Sequence, residues 1–177
     1  GFIFTSKNLF IKIVKKLTLI FYKLIFNNFN SKVILENSDD QIFLINEHVI
    51  SKSNSFVLPG SCVELKNYDV KQEPSDLKVV MASRLLWNKG VGDFIEAIKI
   101  LKKKNIKCKF LLAGSTDNNP SSVPIKTIKK WENDKIIQYL GYVSDIVSLY
   151  EDSNIICLPS YREGLPKALV EAGACSR

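Results

Sequence analysis

Two carboxylates frame a short run of glycine, proline and lysine near the end of this 177-residue chain: Glu163-Gly164-Leu165-Pro166-Lys167-Ala168-Leu169-Val170-Glu171, followed by Ala172-Gly173-Ala174. Glu163 and Glu171 are eight positions apart, just over two turns at roughly 3.6 residues per turn. That spacing puts them on one side of the element, facing different parts of an elongated ligand. Pro166 suits the first turn of a helix whose buried stripe is Leu165, Leu169 and Ala172. The amides from Gly164 to Lys167 would then lie unpaired at the positive end of that helix, a place for an anion such as a phosphate. Taken singly, each glutamate has a plainer reading, Glu163 as a cap and Glu171 as a solvated helix residue.

A second chemically capable stretch is Ser83-Arg84-Leu85-Leu86-Trp87-Asn88-Lys89-Gly90. It follows an apolar strand pattern, where a parallel sheet places ligands, and Arg84 with Lys89 could clamp a diphosphate as a bond to it breaks. Loop Arg and Lys residues are more commonly just solvated. Gly90-Val91-Gly92 suggests a dinucleotide fingerprint, but Ile95 stands where its third glycine belongs, and no acid closes the next strand. Gly141-Tyr142-Val143-Ser144-Asp145 also follows a strand and reads as a turn in which Ser144 or Asp145 caps a short helix.

Other chemistries find little support. Cys62, Cys108, Cys157 and Cys175 form no CxxC pair and read as reduced thiols, those of Cys108 and Cys157 buried in strands. His48 is the only histidine and lies in a polar stretch, against Ser-His-Asp or Cys-His catalysis. No Asp-x-Asp pair ends a strand, and Asp39-Asp40 and the acids at 132 and 134 read as cap or surface groups, so no metal is implied.

These loops need a scaffold, and the pattern supplies one. Strands are expected over 77–82, 109–113, 136–140 and 154–158, with helices over 91–104, 124–133 and 145–150. The first helix presents Phe94, Ile95, Ala97, Ile98 and Leu101 as its core face. Such alternation predicts an α/β, doubly wound, Rossmann-like parallel sheet with ligands at the C-terminal strand ends. Upstream, 31–35 and 55–58 read as strands flanking a helix that Asn37-Ser38-Asp39-Asp40 starts, and 67–76, with Pro74, reads as a linker.

Composition sets the outer limits. With 46% hydrophobic residues the chain can bury one good core and part of another. The net charge of +7 is local: residues 1–35 carry six lysines and no acid, leaving 19 basic against 18 acidic residues elsewhere. A nucleic-acid surface is not implied. Residues 8–30 make a greasy helix whose polar side (Asn8, Lys12, Lys15, Lys16, Lys23, Asn27, Asn30) occupies about 120° of arc. The lysines argue against a spanning helix. It either packs on more of its own domain, which the width of the apolar face favours, or lies in plane on anionic lipid. The only methionine is Met81, inside a strand pattern, and the chain stops after a helix where another strand is expected, so we expect a piece of a longer protein.

Glu163, seven residues, then Glu171, with Gly164-Leu165-Pro166 inside and an Ala-Gly-Ala tail, resembles the signature of retaining GT-B glycosyltransferases of the family-four, group 1 type. The resemblance implies the C-terminal half of a GT-B architecture, truncated at both ends. Residues 1–66 would be the end of the acceptor domain, 67–76 the linker and 77–177 most of the nucleotide-sugar domain, with Gly1-Phe2-Ile3-Phe4-Thr5 the tail of a glycine-bearing loop. It implies a donor that is a nucleotide-diphosphate sugar such as a UDP-sugar, no cofactor and no metal.

By the same resemblance, Glu163 would hold sugar hydroxyls, Glu171 ribose hydroxyls, and Arg84, Lys89 and the helix amides around Gly164, Leu165, Pro166 and Lys167 would surround the diphosphate. Tyr142 and Val143 would border the base. The carboxylates stand too far apart to flank one bond as a glycosidase pair does. The segment is most similar to bacterial enzymes that glycosylate polyprenyl-diphosphate-linked sugars, which implies a glycan or lipid-linked acceptor at the inner face of the cell membrane. A non-catalytic nucleotide-binding module is the competing expectation, and the chain by itself is expected to be inactive.

Overall fold

The computed structural model describes residues 9–26, 31–60 and 62–177. The glycine-bearing stretch at residues 1–5, and Asn8, Asn27 and Asn30 of the expected polar side, lie outside them. The chain divides into two compact units, Gly1–Ser61 and Cys62–Arg177.

In the first unit, α1 (Leu9–Phe26) precedes a small parallel β-α-β arrangement of β1 (Val33–Leu35), α2 (Ser38–Asn46) and β2 (Ser55–Val57), with Val33 paired to Ser55. Asn37 caps α2, its side chain accepting from the Asp40 N–H at 2.7 Å. Leu19 of α1 enters a core with Val33, Leu44, Val49 and Ile50. The opposite side of α1 is open: Phe10, Leu17, Phe21 and Leu24 are exposed, Leu24 to 72%. Lys15 turns inward over the Phe43 ring and towards Glu47, while Lys12, Lys16 and Lys23 stay exposed.

The second unit holds four parallel strands, β3 (Lys78–Ala82), β4 (Lys109–Ala113), β5 (Gln138–Gly141) and β6 (Ile155–Ile156), in the order β5-β4-β3-β6. Every pairing is parallel, so each connection needs a helical crossover: α3 (Val91–Lys103), α4 (Ile125–Asn133) and α5 (Ile146–Glu151), with α6 (Lys167–Ala174) following β6.

Alternation along β3 and β4 sorts their side chains between two faces. Met81 and Leu112 join Val91, Phe94, Ile95 and Ile98 of α3 and Ile128 of α4. Val80, Ala82, Leu111 and Ala113 pack with Tyr150 of α5, Ala172 of α6 and Cys175. Helices therefore cover both faces, as the period-2 and period-3.6 patterns require. Ala97, expected on the core face of α3, is exposed; it lies on the flank of the apolar stripe, and buried Val91 completes the face.

The stretch 67–76 runs along the second unit and is fastened to it. Lys71 pairs with Glu151, and the Arg177 guanidinium donates to the carbonyls of Lys71 at 3.0 Å and Glu151 at 3.0 Å. Strand order reverses direction between β3 and β6, and crevices form outside the carboxyl ends of strands at such a point.

Candidate active site

Leu85 and Leu86, both buried, pin the loop that leaves β3. The Leu85 N–H donates to Ser115 O at 3.1 Å and the Trp87 N–H to Ser121 O at 2.8 Å. A single 3-10 turn, Trp87–Lys89, then delivers the chain to Gly90, which takes the left-handed conformation with φ of 80°. A Cβ there would stand 1.9 Å from the Pro159 carbonyl oxygen. Gly90 thus serves close approach of the loop after β6, and the incomplete dinucleotide fingerprint has this structural explanation.

Further contacts join the two loops across the reversal point. The Tyr161 N–H donates to Asn88 O at 3.1 Å, and the Tyr161 hydroxyl to Asp93 Oδ2 at 2.8 Å. The Lys89 ammonium donates to Glu163 Oε1 at 2.6 Å and to Oε2 at 2.8 Å, with both side chains about one-fifth exposed. Partial burial leaves this pair less screened by water and salt than a surface pair.

Beside them, a cleft of about 260 Å³ opens at the carboxyl ends of β3, β4 and β5. Ser83 and Arg84 line it after β3, Gly114 after β4, Tyr142 and Val143 after β5, and Glu171 from α6. Gly114 has φ of 139°, and a Cβ on it would meet Ser83 O at 1.9 Å, so only glycine lets these strand ends converge. Arg84 is exposed on the rim, 3.9 Å from Asp117 Oδ2. Tyr142 is 78% exposed at the mouth.

Glu171 is only 7% exposed, which overturns its reading as a solvated helix residue. Lys167 Nζ lies 3.1 Å from its Oε1, and the Tyr68 hydroxyl donates to the same oxygen at 3.3 Å. Burial, and then the Glu171 charge, hold the Tyr68 phenol above the ordinary tyrosine range. Tyr150, on the cleft wall, is pushed up further, by burial first and by Glu171 second.

Two expectations about this segment are corrected. Pro166 is the N-cap residue and the helix begins at Lys167, because Pro166 has extended backbone (ψ 104°). Glu163 lies in the coil before α6 whichever of the two residues starts it, so the eight-residue spacing to Glu171 is not two helical turns. Gly164, Leu165 and Pro166 form the half-buried approach to α6, whose first-turn amides at Lys167 and Ala168 have no intrahelical acceptor.

Arg84, Tyr142, Val143 and Glu171 therefore share one cleft, whereas Lys89 and Glu163 face each other beside it and do not line it. Ser83, Tyr68 and Tyr150 escaped the sequence reading. Ser83 stands inside a motif already singled out, but Tyr68 sits in a polar stretch and Tyr150 in a short helix, with no local mark of a site. Among the described residues no three His, Cys, Asp or Glu side chains cluster as metal ligands would.

Residues 66–176 match the family model described as "Glycosyl transferases group 1". The chain belongs to this family. It is 39% identical over 112 residues to the N,N'-diacetylbacillosaminyl-diphospho-undecaprenol alpha-1,3-N-acetylgalactosaminyltransferase of Campylobacter jejuni, a match covering 63% of this chain and 27% of that one. Another C. jejuni relative is the GalNAc-alpha-(1->4)-GalNAc-alpha-(1->3)-diNAcBac-PP-undecaprenol alpha-1,4-N-acetyl-D-galactosaminyltransferase, 28% identical over 142 residues, covering 76% of this chain and 36% of the relative.

Among solved structures, Anabaena Alr3699/HepE in complex with UDP superposes with a TM-score of 0.75 at 20% identity, covering 91% of this chain and 47% of that one. The group 1 chain thus has the GT-B glycosyltransferase fold in part, spanning less than half the length of each of these three proteins.

Proposed function

We propose that this chain is the donor-binding part of a retaining glycosyltransferase that moves a sugar from a UDP-sugar to a lipid-linked or polysaccharide-precursor acceptor. The observation that carries the reading is the meeting of Lys89 and Glu163 across the reversal point, beside a cleft walled by Arg84 and Glu171. A cation for the leaving group and a carboxylate for the sugar stand at the same edge of the sheet, next to a helix start with free amides.

In this reading the diphosphate lies against Arg84, Lys89 and the Lys167 and Ala168 amides, which offset the charge that grows as the bond from the anomeric carbon to the diphosphate oxygen breaks. Glu171 accepts from ribose hydroxyls, Tyr142 and Val143 border the base, and Glu163 accepts from a sugar hydroxyl. The acceptor hydroxyl attacks the same face of the anomeric carbon and passes its proton to a departing phosphate oxygen, so configuration is kept. The donor is a substrate, and these residues need no cofactor or metal for the step.

The acceptor reading draws on the C. jejuni relatives, both named for undecaprenol-linked sugars. It puts the protein in the cytoplasm, peripheral on the inner face of the membrane. The exposed apolar side of α1, with Lys12, Lys16 and Lys23 beside it, suits an anionic bilayer surface. No described helix is long and apolar enough to cross a membrane.

The deciding experiment is UDP release by the full-length protein from UDP-sugars, with and without a polyprenyl-diphosphate sugar. Acceptor-dependent turnover with an α-linked product from an α-linked donor supports the reading. Nucleotide binding without turnover in the full-length protein makes it a non-catalytic module instead. The 177-residue chain alone is expected to bind nucleotide without turnover.

A further inference from the structure

Glu171 is nearly enclosed, and an ionised carboxylate in such a place needs donors to replace water. Two reach it. Lys167 comes from its own helix, one turn earlier, on a side chain that is itself 66% exposed. The other is the hydroxyl of Tyr68, which stands 103 positions earlier in the chain, in the stretch before β3.

Both contacts end on Oε1, at 3.1 and 3.3 Å, and among the described residues Oε2 accepts from none. The Tyr68 ring is held in turn: it packs against the apolar cluster of Val80, Leu111, Ala113 and Tyr150, the face of the sheet that α5 and α6 cover. Of the two donors, Lys167 is on a flexible, exposed stem, whereas Tyr68 is anchored at both ends. The phenol keeps its proton through the neutral range, so it remains a donor.

We propose that Tyr68 is a positioning residue for the nucleotide: it holds Oε1 of Glu171 and so leaves Oε2 as the oxygen that meets the ribose hydroxyls of a nucleoside diphosphate in the cleft. The inference rests on the reading of Glu171 as the ribose partner given above. It also gives the polar stretch before β3 a part in donor recognition, through a single hydroxyl.

The test is made on the full-length protein with Tyr68→Phe, which keeps the ring and its packing, and with Glu171→Gln. Calorimetry measures affinity for UDP and GDP and for their 2′,3′-dideoxy counterparts, and the readout is the ratio of the two affinities for whichever base is bound. Loss of one hydrogen bond to a charged group sets the expected scale. In Tyr68→Phe the ribonucleotide weakens by about tenfold or more and the dideoxy form by less than about twofold, so discrimination shrinks. A merely structural role weakens both forms alike and leaves the ratio untouched; that result, or unchanged binding, overturns the proposal. If Glu171→Gln abolishes discrimination while Tyr68→Phe keeps it, only the role of Tyr68 fails. If Glu171→Gln keeps it, the ribose reading fails and the role of Tyr68 with it.

Discussion

Lys89 Nζ stands 2.6 Å from one oxygen of Glu163 and 2.8 Å from the other, joining residues 74 positions apart. In the proposed reading these groups serve different parts of the donor, so binding must separate them. Glu163→Gln is expected to tighten UDP affinity of the full-length protein several-fold by releasing Lys89, while turnover falls by a hundredfold or more, on the order expected for a lost transition-state contact. Lys89→Ala should weaken UDP binding and turnover together. Titration calorimetry and steady-state kinetics check both; near-normal turnover in either variant contradicts the roles given to the pair.

At Gly90 the loop after β3 has no room for a side chain against the loop after β6. Gly90→Ala puts a methyl group against Pro159 O in a backbone of φ 80° and is expected to destabilise the protein by about 2 to 4 kcal/mol. Gly173→Ala, where a Cβ meets nothing within 4 Å, should be neutral or slightly stabilising. Urea denaturation of the two variants gives the comparison, and equal midpoints would refute the close approach.

Alkaline pH provides an independent probe of the cleft wall. Tyr150 has its folded pKa raised by burial and by Glu171, so above the ordinary tyrosine value of 10.0 the unfolded chain loses a proton that the folded chain keeps. The unfolded state then binds fewer protons, and stability falls as pH rises. The contribution is fully present below pH 10 and is lost as pH climbs towards the folded value. Tyr150→Phe should flatten the decline between pH 9.5 and 11, measured as denaturation midpoints against wild type. A slope unchanged by the substitution would place the titrating group elsewhere.

The open side of α1 makes a claim about lipid. Vesicles rich in phosphatidylglycerol should sediment the protein, with binding that falls as salt rises and is lost when Lys12, Lys16 and Lys23 are replaced by Glu. Wild-type protein that stays in the supernatant rules out the bilayer as the cover for Phe10, Leu17, Phe21 and Leu24.

Much of this architecture was written locally. Apolar residues alternating at period 2 in β3 and β4, a stripe at period 3.6 in α3, and the Asn37 and Asp145 caps are properties of neighbouring residues, so the order of elements and the doubly wound class could be read without coordinates. Arg84, Lys89 and Glu163 were expected in loops that follow strands and Glu171 in the helix after the last of them, and each lies there; the roles given to them come from the family resemblance. The start of α6 was misread by one residue because proline fits both the cap and the first turn, and only backbone geometry separates them.

What the linear chain could not determine was which of these groups meet. Strand order brought the loop after β3 against the loop after β6, and it is this neighbourhood, not any spacing, that pairs Lys89 with Glu163 and makes Gly90 the seat of Pro159. For Glu171 the residues alone left a solvated helix position open beside the ligand contact; its burial, and its partner Tyr68 from a segment 103 positions away, belong to the tertiary structure. Local sequence encodes local conformation, whereas a site assembled from four strand ends depends on the sheet's pairing order, which no single stretch contains.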